Sequence, residues 1–464
     1  MQPPAAAAST TETILKNSFK LAAAAIALSA AFTSTVHAAG FQLTEQSAGA
    51  LGRAYAGVGV DGTDLSGVYF NPATMVLHPG TQMQAGFVGI GLNLEYAGDN
   101  GTKENGRQAS QAIPHGFITH QINESTWVGL AMTVPFGMGT EYNDNWEHAD
   151  HGISATILTF DFNPNVAWKA TEKLSFGAGV SLQYAQADLK KRNVLAGEGA
   201  QAISAESEID ADSWAWGFNL GMMWSPTENF RVGVSYRSKI KHDAEGDFTL
   251  KNAQLANGAS VNGQALVQQA QGLMSKPGAT SADKSQAEQL YKLGTVLNMQ
   301  SFDGYATVTA PAWAMANVAW DVNDLLSLYG TFRWADWSSF DELDITTNVP
   351  GVVGQVVNKW KDTYMGSVGA DLRLTNWWTL RGGIAYETSP IDKPEYRTAI
   401  IPDARRWWFA VGSSFKFDDN LVMDLAFAHL HGVGERSLYE NGEKIGKFRK
   451  LDAYLIGAQL QYKF

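Results

Sequence analysis

Few residues in this sequence of 464 amino acids have the types and spacing that catalysis requires. Residues 57–62 match the phosphate-binding pattern GxGxxG, but no strand-like run precedes them and no long helical pattern follows, so a simple turn explains them better. Ser389 or Ser413 could be combined with His429 in a hydrolytic dyad, yet nothing in their spacing singles them out. The sequence therefore predicts no catalytic residue and a protein that is not an enzyme.

Side chains that bind metal ions are concentrated in one stretch. Between residues 141 and 151, acidic residues alternate with two histidines; they are Glu141, Asp144, Glu147, His148, Asp150 and His151. Such a group could hold a divalent cation, but a hydrated surface loop has the same composition, and we favour the loop. The chain has no cysteine, which excludes thiolate zinc sites, cysteine nucleophiles and disulfides. We predict neither a metal nor a cofactor.

The amino-acid composition argues against a nucleic-acid-binding protein and is unusual for a soluble domain. Lysine and arginine number 34 and acidic residues 46, a net charge of −12, and no basic stretch is large enough to neutralise a run of nucleic-acid phosphates. Only 17% of residues are charged, where about a quarter is usual in soluble domains. The protein is therefore not expected to bind nucleic acid.

Residues 1–38 have the pattern of a secretory signal peptide. Lys16 and Lys20 precede the apolar run 21–32, and small residues lead up to a cleavage position after Ala38. As a helix the apolar run would rise about 18 Å, well short of the roughly 30 Å hydrocarbon core. We expect export, with removal of this segment.

Strict alternation of apolar and polar residues dominates the rest of the chain. In the run 158–168, for example, Phe160, Phe162 and Val166 share one face, and Asp161 and Asn163 share the other. Fourteen such runs can be placed between residues 82 and 464. A soluble β-sandwich also alternates, but the polar faces here are Gly, Ser and Asn, and Trp and Tyr recur near the ends of the runs, as in outer-membrane barrels.

Short turns alternate with long loops between these runs. The long loops are expected at 97–112, 141–154, 191–211, 244–302, 348–360, 389–404 and 433–449. Periplasmic turns and extracellular loops produce this alternation. The fold class predicted is all-β, a 14-stranded antiparallel transmembrane β-barrel at residues 81–464, located in the bacterial outer membrane.

The longest loop contains one helical pattern. Leu290, Leu293 and Leu297 recur at helical spacing in residues 285–298. The helix could be a lid packed on the barrel rim, or an outer-loop groove on which an apolar ligand lands. The two alternatives stay open.

Residues 39–80 precede the first strand and are too few and too polar to form a core of their own. The lumen of a fourteen-stranded barrel would otherwise hold water, so we predict that this segment is a hatch that plugs it. A plugged barrel cannot be a general diffusion channel.

Several segments carry a resemblance to a known family. Residues 39–43, 49–57 and 69–73 are similar to the hatch of the FadL/TodX family of outer-membrane transporters for hydrophobic compounds. Later segments are similar to other parts of the same family; they are 136–143, 334–340, 377–386, 389–390, 397–398, 401–403 and 406–407. The resemblance covers essentially the whole chain after the leader.

The resemblance implies passive uptake of long-chain fatty acids or similar compounds through a plugged barrel. It implies a pocket near the start of the hatch, where we place Phe41 and Leu43 as substrate-binding residues. It also implies a kinked third strand that opens a side portal, which falls at Pro135, Phe136 and Gly137. Independently of the resemblance, a proline cannot donate to a strand ladder.

Two further assignments follow. The hatch motif Asn71, Pro72 and Ala73 is expected to fix the path of the plug, because Asn caps turns and Pro sets φ. A carboxylate ligand should meet a buried cation, and the candidates are Lys361, Arg373 and Arg381.

The predicted ligand is a fatty acid or a hydrocarbon. The alternatives are an importer of aromatic or alkane hydrocarbons with the same fold and a structural or adhesive barrel. The other expected partner is outer-membrane lipid or lipopolysaccharide, around a monomer.

Overall fold

A computed structural model of the protein describes residues 40–106, 110–197, 199, 202–299, 301–340, 342–347, 354–440 and 442–464. The predicted signal peptide, residues 1–38, lies outside the described residues. Among the described residues, no helix is both long and apolar enough to cross a membrane.

Fourteen antiparallel barrel strands can be traced through the described ranges. Nine are continuous: β1 (Thr81–Gly98), β2 (Ser110–Asn123), β4 (Ser154–Lys169), β5 (Leu174–Ala196), β6 (Ile203–Thr227), β11 (Trp378–Glu387), β12 (Arg405–Lys416), β13 (Leu421–Val433) and β14 (Glu443–Lys463). Five have a break: β3 (Thr126–Thr133 and Gly137–Glu141), β7 (Phe230–Arg237 and Ile240–Leu255), β8 (Phe302–Ala310 and Trp313–Asp321), β9 (Leu326–Ala335 and Glu342–Thr347) and β10 (Gly354–Val357 and Thr363–Arg373).

The sheet closes on itself. β1 pairs with β14 from Gln82 opposite Lys463 to Gly98 opposite Gly446, and each strand between them pairs with its neighbours in sequence. The predicted fold class, a 14-stranded antiparallel barrel, is confirmed.

The outside of the barrel is apolar and the inside is polar. Along β4, Phe160, Phe162 and Val166 are 39%, 43% and 46% exposed, whereas Asp161 and Asn163 are 1% and 0% exposed. A protein surrounded by water would bury the first set and expose the second. The distribution is that of a barrel whose outer face contacts hydrocarbon.

Residues 40–80, called the hatch segment below, lie inside the barrel. They contain two single-turn helices, α1 (Ala48–Leu51) and α2 (Gly67–Phe70), and a 3₁₀ helix, Pro72–Leu77. Nearly all of the segment is buried, and its apolar side chains join one cluster with inward-facing residues of the barrel. The segment therefore obtains its core from the barrel wall.

The strands extend further outward than expected. β5 and β6 continue to Ala196 and from Ile203, so the predicted loop 191–211 is wrong over most of its length. Lys190 lies opposite Glu208, and Arg192 lies opposite Glu206. Charged cross-strand pairs stabilise a ladder but interrupt the apolar alternation on which the prediction depended.

The longest loop holds two helices instead of one. They are α3 (Gly263–Ser275) and α4 (Ser281–Asn298), which begin at side-chain caps from Asn262 and Thr280. Two short strands, Lys103–Asn105 and Ser437–Glu440, extend the ladders of β1 and β14 in other outer loops.

Candidate functional site

The third strand is broken at residues 134–136, called the kink segment below. Before the break, β3 pairs with both β2 and β4, but the β2 pairing ends at Gly116 opposite Met132. After the break, Gly137–Glu141 pairs with β4. In the described part of the chain, residues 110–115 of β2 thus have no ladder partner on the β3 side. The hydrogen-bond ladder has a gap there, called the opening below, at the site of Pro135, which has no N–H to donate.

The hatch segment bonds to the kink segment. Leu43 N donates to Pro135 O at 2.8 Å, and Gly137 N donates to Phe41 O at 2.8 Å. The side chain of Gln46 accepts from Val134 N at 3.1 Å and donates to Val134 O at 2.6 Å. Backbone groups that would have paired with β2 are therefore satisfied by the hatch, which matters because each unpaired group in a membrane costs several kcal/mol.

Phe41 fills a cage of four aromatic side chains. Its ring centroid lies 4.8 Å from Trp337, 5.2 Å from Phe340, 5.9 Å from Phe136 and 6.2 Å from Trp360. These residues, called the aromatic cage below, come from the breaks in β3, β9 and β10. Phe41 is 1% exposed, so it occupies the cage as an apolar ligand would.

Leu43 lies beside the kink. It is 2% exposed, and its Cδ1 would lie 2.7 Å from a Cβ at Gly137. A glycine at position 137 thus leaves space for this side chain. Both residues assigned from the resemblance, Phe41 and Leu43, lie at the opening between β2 and β3.

A charged cluster lies behind the cage, and the sequence analysis missed it. Arg333 donates to Thr44 Oγ1 at 2.6 Å and pairs with Glu387. Arg406 pairs with Asp403 and lies 3.7 Å from Glu387. Asp403 also accepts from Gly40 N at 3.1 Å. The signal in the sequence was a lone arginine at position 333 on the polar face of an aromatic-rich strand.

Glu45 lies in the same region with neither carboxylate oxygen hydrogen-bonded. Burial raises the pKa of Glu45 to about 7, with a smaller contribution from Glu387 in the same direction. The start of the hatch thus combines an apolar cage with arginines and a carboxyl group that is protonated more easily than usual.

The three cations proposed for a carboxylate ligand lie elsewhere and have partners. Lys361 is on the outer surface, where it pairs with Asp392 at 2.9 Å. Arg373 lies at the other end of β10 and bonds to Asp324 O at 3.2 Å in a short turn. Arg381 is buried and pairs with Asp424 at 2.6 Å. Each of these cations therefore already has a protein partner in the absence of a ligand.

The hatch motif packs closely against the backbone of the hatch and of strands β5 and β6. Asn71 caps Ala73 N at 3.2 Å, and its amide nitrogen donates to Gly59 O at 2.8 Å and to Met222 O at 3.1 Å. A Cβ at Gly221 would meet Asn71 Oδ1 at 2.0 Å, and one at Gly177 would meet Ala73 N at 2.4 Å. The close approach requires glycine in β5 and β6.

The leucines of the outer-loop helix are half-buried. Leu290, Leu293 and Leu297 line one side of α4, which packs against α3 so closely that a Cβ at Gly294 would meet Gly263 O at 2.6 Å. Leu297 also packs against the main apolar cluster. The helix pair uses at least part of this apolar stripe for its own packing.

A small cavity adjoins the charged cluster. It measures about 30 Å³ and is lined by Leu92, Leu94, Leu430, Ala453, Asp403 and Arg406, among others. Such a volume holds about one or two waters. This cavity is therefore too small for an acyl chain.

Sequence comparisons agree with this architecture. Residues 29–464 match the family model described as outer membrane protein transport protein (OMPP1/FadL/TodX). The long-chain fatty acid transport protein of Escherichia coli K12 is 26% identical over 473 residues, which cover 95% of this chain and 98% of the relative. Outer membrane protein P1 of Haemophilus influenzae is 25% identical over 482 residues, with 92% and 96% coverage.

Solved structures have the same fold. A Pseudomonas aeruginosa FadL homologue superposes with a TM-score of 0.77 at 23% identity, covering 92% of this chain and 100% of that one. The Pseudomonas putida toluene transporter TodX superposes with a TM-score of 0.66 at 19% identity, covering 89% and 97%.

Proposed function

Because the chain belongs to the OMPP1/FadL/TodX family of outer-membrane transport proteins, we propose that it takes up long-chain fatty acids by passive flow through a side portal. The protein is a barrel of the bacterial outer membrane that takes up hydrophobic compounds, and it is not an enzyme. One observation carries the proposal: the hatch places Phe41 in an aromatic cage beside the opening between β2 and β3.

An apolar route through the protein lowers the large free-energy barrier to moving an acyl chain from an apolar site into water. Burying an acyl chain of about sixteen carbons is favourable by about 12 kcal/mol, at 0.8 kcal/mol per CH₂. A water-filled pore would leave that barrier in place, whereas an apolar surface divides it into small steps. Flow down a gradient along such a surface needs no energised coupling.

Phe41 must leave the cage before a ligand can enter it. Its segment is bonded to the kink segment, so displacement of the hatch start frees the kink as well. We propose that Pro135, Phe136 and Gly137 form the portal, and that Phe41 and Leu43 contact the substrate. Leu290, Leu293 and Leu297 would form the first landing surface, where the α3–α4 pair opens.

We propose that the chain divides into three parts. They are a removable leader at residues 1–38, a hatch at 39–80 and a transmembrane barrel at 81–464. The burial of residues 40–78 within the barrel supports the division.

Arg333 and Arg406 are the cations that best suit the carboxylate of a fatty acid. Both are buried and adjoin the hatch start, and their partners Glu387 and Asp403 could exchange for a ligand carboxylate. Lys361, Arg373 and Arg381 are less suited, because their contacts lie away from the cage.

The pairing of these arginines also favours a second candidate. Because Arg333 and Arg406 each already have an acidic partner, a neutral hydrocarbon needs no rearrangement of these charges. An importer of aromatic or alkane hydrocarbons therefore remains the alternative, and the resemblance to TodX supports it.

Substitution of Arg333 distinguishes a fatty acid from a neutral hydrocarbon as the ligand. We expect Arg333→Gln to weaken oleate binding about tenfold or more, since a hydrogen bond to a charged group contributes about 1.5–3 kcal/mol. Toluene binding should not change. The measurement is equilibrium binding to the detergent-purified barrel, with Arg373→Gln as the matched control.

If Arg333→Gln also unfolds the protein, Arg406→Gln tests the same cluster. Tight toluene binding without measurable oleate binding in the wild type would select the hydrocarbon. Equal oleate affinity in the wild type and both folded variants would contradict the role of the cluster.

We further infer that the protein is a monomer surrounded by outer-membrane lipid or lipopolysaccharide. Each barrel strand has a neighbour on both sides, and apolar side chains cover the outer face of the strands. The mass of the detergent-extracted protein should be that of one chain, and a stable dimer would contradict the inference.

A further inference from the structure

Two outer loops that are distant in sequence bring three metal-ligating side chains together. His148 and His151 come from the loop 142–153, and Glu440 comes from the short strand Ser437–Glu440. One ligand atom from each lies within 4.8 Å of the other two, and His151 Nε2 is 3.9 Å from Glu440 Oε2. We call these residues the loop cluster. The sequence indicated the histidines, but only the fold adds Glu440.

His148 is held in place by its surroundings. It is 8% exposed, and its ring lies 5.4 Å from Trp146 and 5.6 Å from Tyr96. Its Nε2 is 3.1 Å from the Tyr96 hydroxyl, which donates its single proton to Ile445 O at 3.1 Å. His148 Nε2 is then the donor to Tyr96, and the lone pair of the ring lies on Nδ1. A ligating histidine is commonly oriented by such a second contact.

The loops on which the ligands lie are fixed independently. Tyr142 and Trp146 of one loop and Leu438 of the other belong to one buried apolar cluster. Tyr142 also donates to Ala399 O at 2.7 Å. The backbone that carries the three ligands of the loop cluster is therefore held in place by packing of the two loops.

We propose that His148, His151 and Glu440 bind a zinc ion that joins the loop 142–153 to the strand Ser437–Glu440 at the outer face of the barrel. Two imidazoles and one carboxylate are a ligand set that zinc accepts, with a water as the fourth ligand. A hard cation such as Ca²⁺ prefers oxygen ligands only. The ion would hold the two loops together over the outer end of β1 and β14.

A second group provides the internal control. His429, His431 and Asp452 also lie close together, but on the outward face of β13 and β14. There His431 Nδ1 already bonds to Asp452 Oδ1 at 2.8 Å, and His429 stacks on Tyr454 at 4.7 Å. Removing these histidines should leave the loop cluster unchanged.

The experiment is a Zn²⁺ titration by calorimetry. The full-length mature barrel is purified in detergent without a histidine tag, and metal is removed with a chelator. The wild type and His429→Gln/His431→Gln should each show a site that is lost, by about tenfold or more in affinity, in His151→Asn and in Glu440→Gln. Tyr96→Phe, which removes the hydroxyl that orients His148 while leaving all three ligands in place, should weaken binding about tenfold.

Oleate binding by each variant shows that it has folded and is independent of the metal. Unchanged Zn²⁺ affinity in both His151→Asn and Glu440→Gln would overturn the proposal. So would a site that disappears only in the His429/His431 variant. Neither outcome bears on uptake through the portal.

Discussion

A disulfide between residues 42 and 136 should reduce uptake about tenfold or more, because it prevents the gating movement of the hatch. Gln42 and Phe136 form an antiparallel bridge between the hatch segment and the kink segment. The flanking bonds, Leu43 N to Pro135 O and Gly137 N to Phe41 O, make this a non-hydrogen-bonded pair. Such pairs have Cα atoms about 4.5 Å apart, within the range that a disulfide spans.

The test is uptake of a labelled fatty acid by cells that produce Gln42→Cys/Phe136→Cys. The chain has no cysteine of its own, so no other thiol can mispair. A reductant should restore uptake to the level of the single variants, which are the matched controls. Equal uptake in the oxidised and reduced double variant, with the disulfide verified by mass, would show that the hatch start need not leave the kink.

Replacing Arg53 with methionine should destabilise the seated hatch by about 3–5 kcal/mol, the usual effect of removing one member of a buried ion pair. Arg53 is 0% exposed, pairs with Asp61 in the hatch, and reaches Asp371 of β10 at 2.7 Å. Its guanidinium also lies 4.1 Å from the ring centre of Tyr329. Without it, Asp61 loses its ion-pair partner and Asp371 keeps only the longer pair with Arg381 at 3.5 Å.

The consequence should be measurable as a leak. Vesicles that contain Arg53→Met should release a small hydrophilic dye faster than wild-type vesicles, and the free energy of unfolding in urea should fall. Arg373→Met is the control, because its pair with Asp321 is partly exposed at 3.4 Å and such pairs contribute about 0–1 kcal/mol. Adding Asp61→Asn and Asp371→Asn to Arg53→Met should recover part of the stability. A tight, fully stable Arg53→Met barrel would show that the ion pairs do not hold the hatch.

The sequence predicts the barrel well because one side of each strand faces hydrocarbon. Phe160 and Phe162 alternate with Asp161 and Asn163 for that reason. From this alternation one can predict the number of strands, the fold class and the location in a membrane. It fails where strands leave the membrane, as at Lys190 and Glu208, because both faces are then hydrated. The helix α3 was missed since its buried side chains, such as Leu266 and Ala270, face another loop helix and not a membrane or a large core.

The candidate site was less predictable. The resemblance gave the position of Phe41, but not that the side chain fills a cage drawn from three broken strands. Arg333 bonds to Thr44, which is next to Glu45 and 289 residues away from Arg333 in the sequence, so the two meet only after the barrel closes. The alternation pattern was the basis for choosing Lys361, Arg373 and Arg381. Alternation predicts on which side of the barrel wall a residue lies. It does not predict how far along the barrel axis the residue lies or which side chain it pairs with.

The contacts of the hatch with β14 bear on how the protein assembles. Ala48 N donates to Gln459 Oε1 at 2.8 Å, and Gln459 Nε2 donates to Asp424 Oδ2 at 2.9 Å. β14 is the fourteenth barrel strand in chain order, and it closes the barrel by pairing with β1, which directly follows the hatch. Without the hatch, water in the lumen would have to replace Ala48 N as the partner of Gln459 Oε1. Gln459 thus bonds both to the hatch and to the neighbouring strand β13, so that insertion of the hatch and closure of the wall are coupled at this residue.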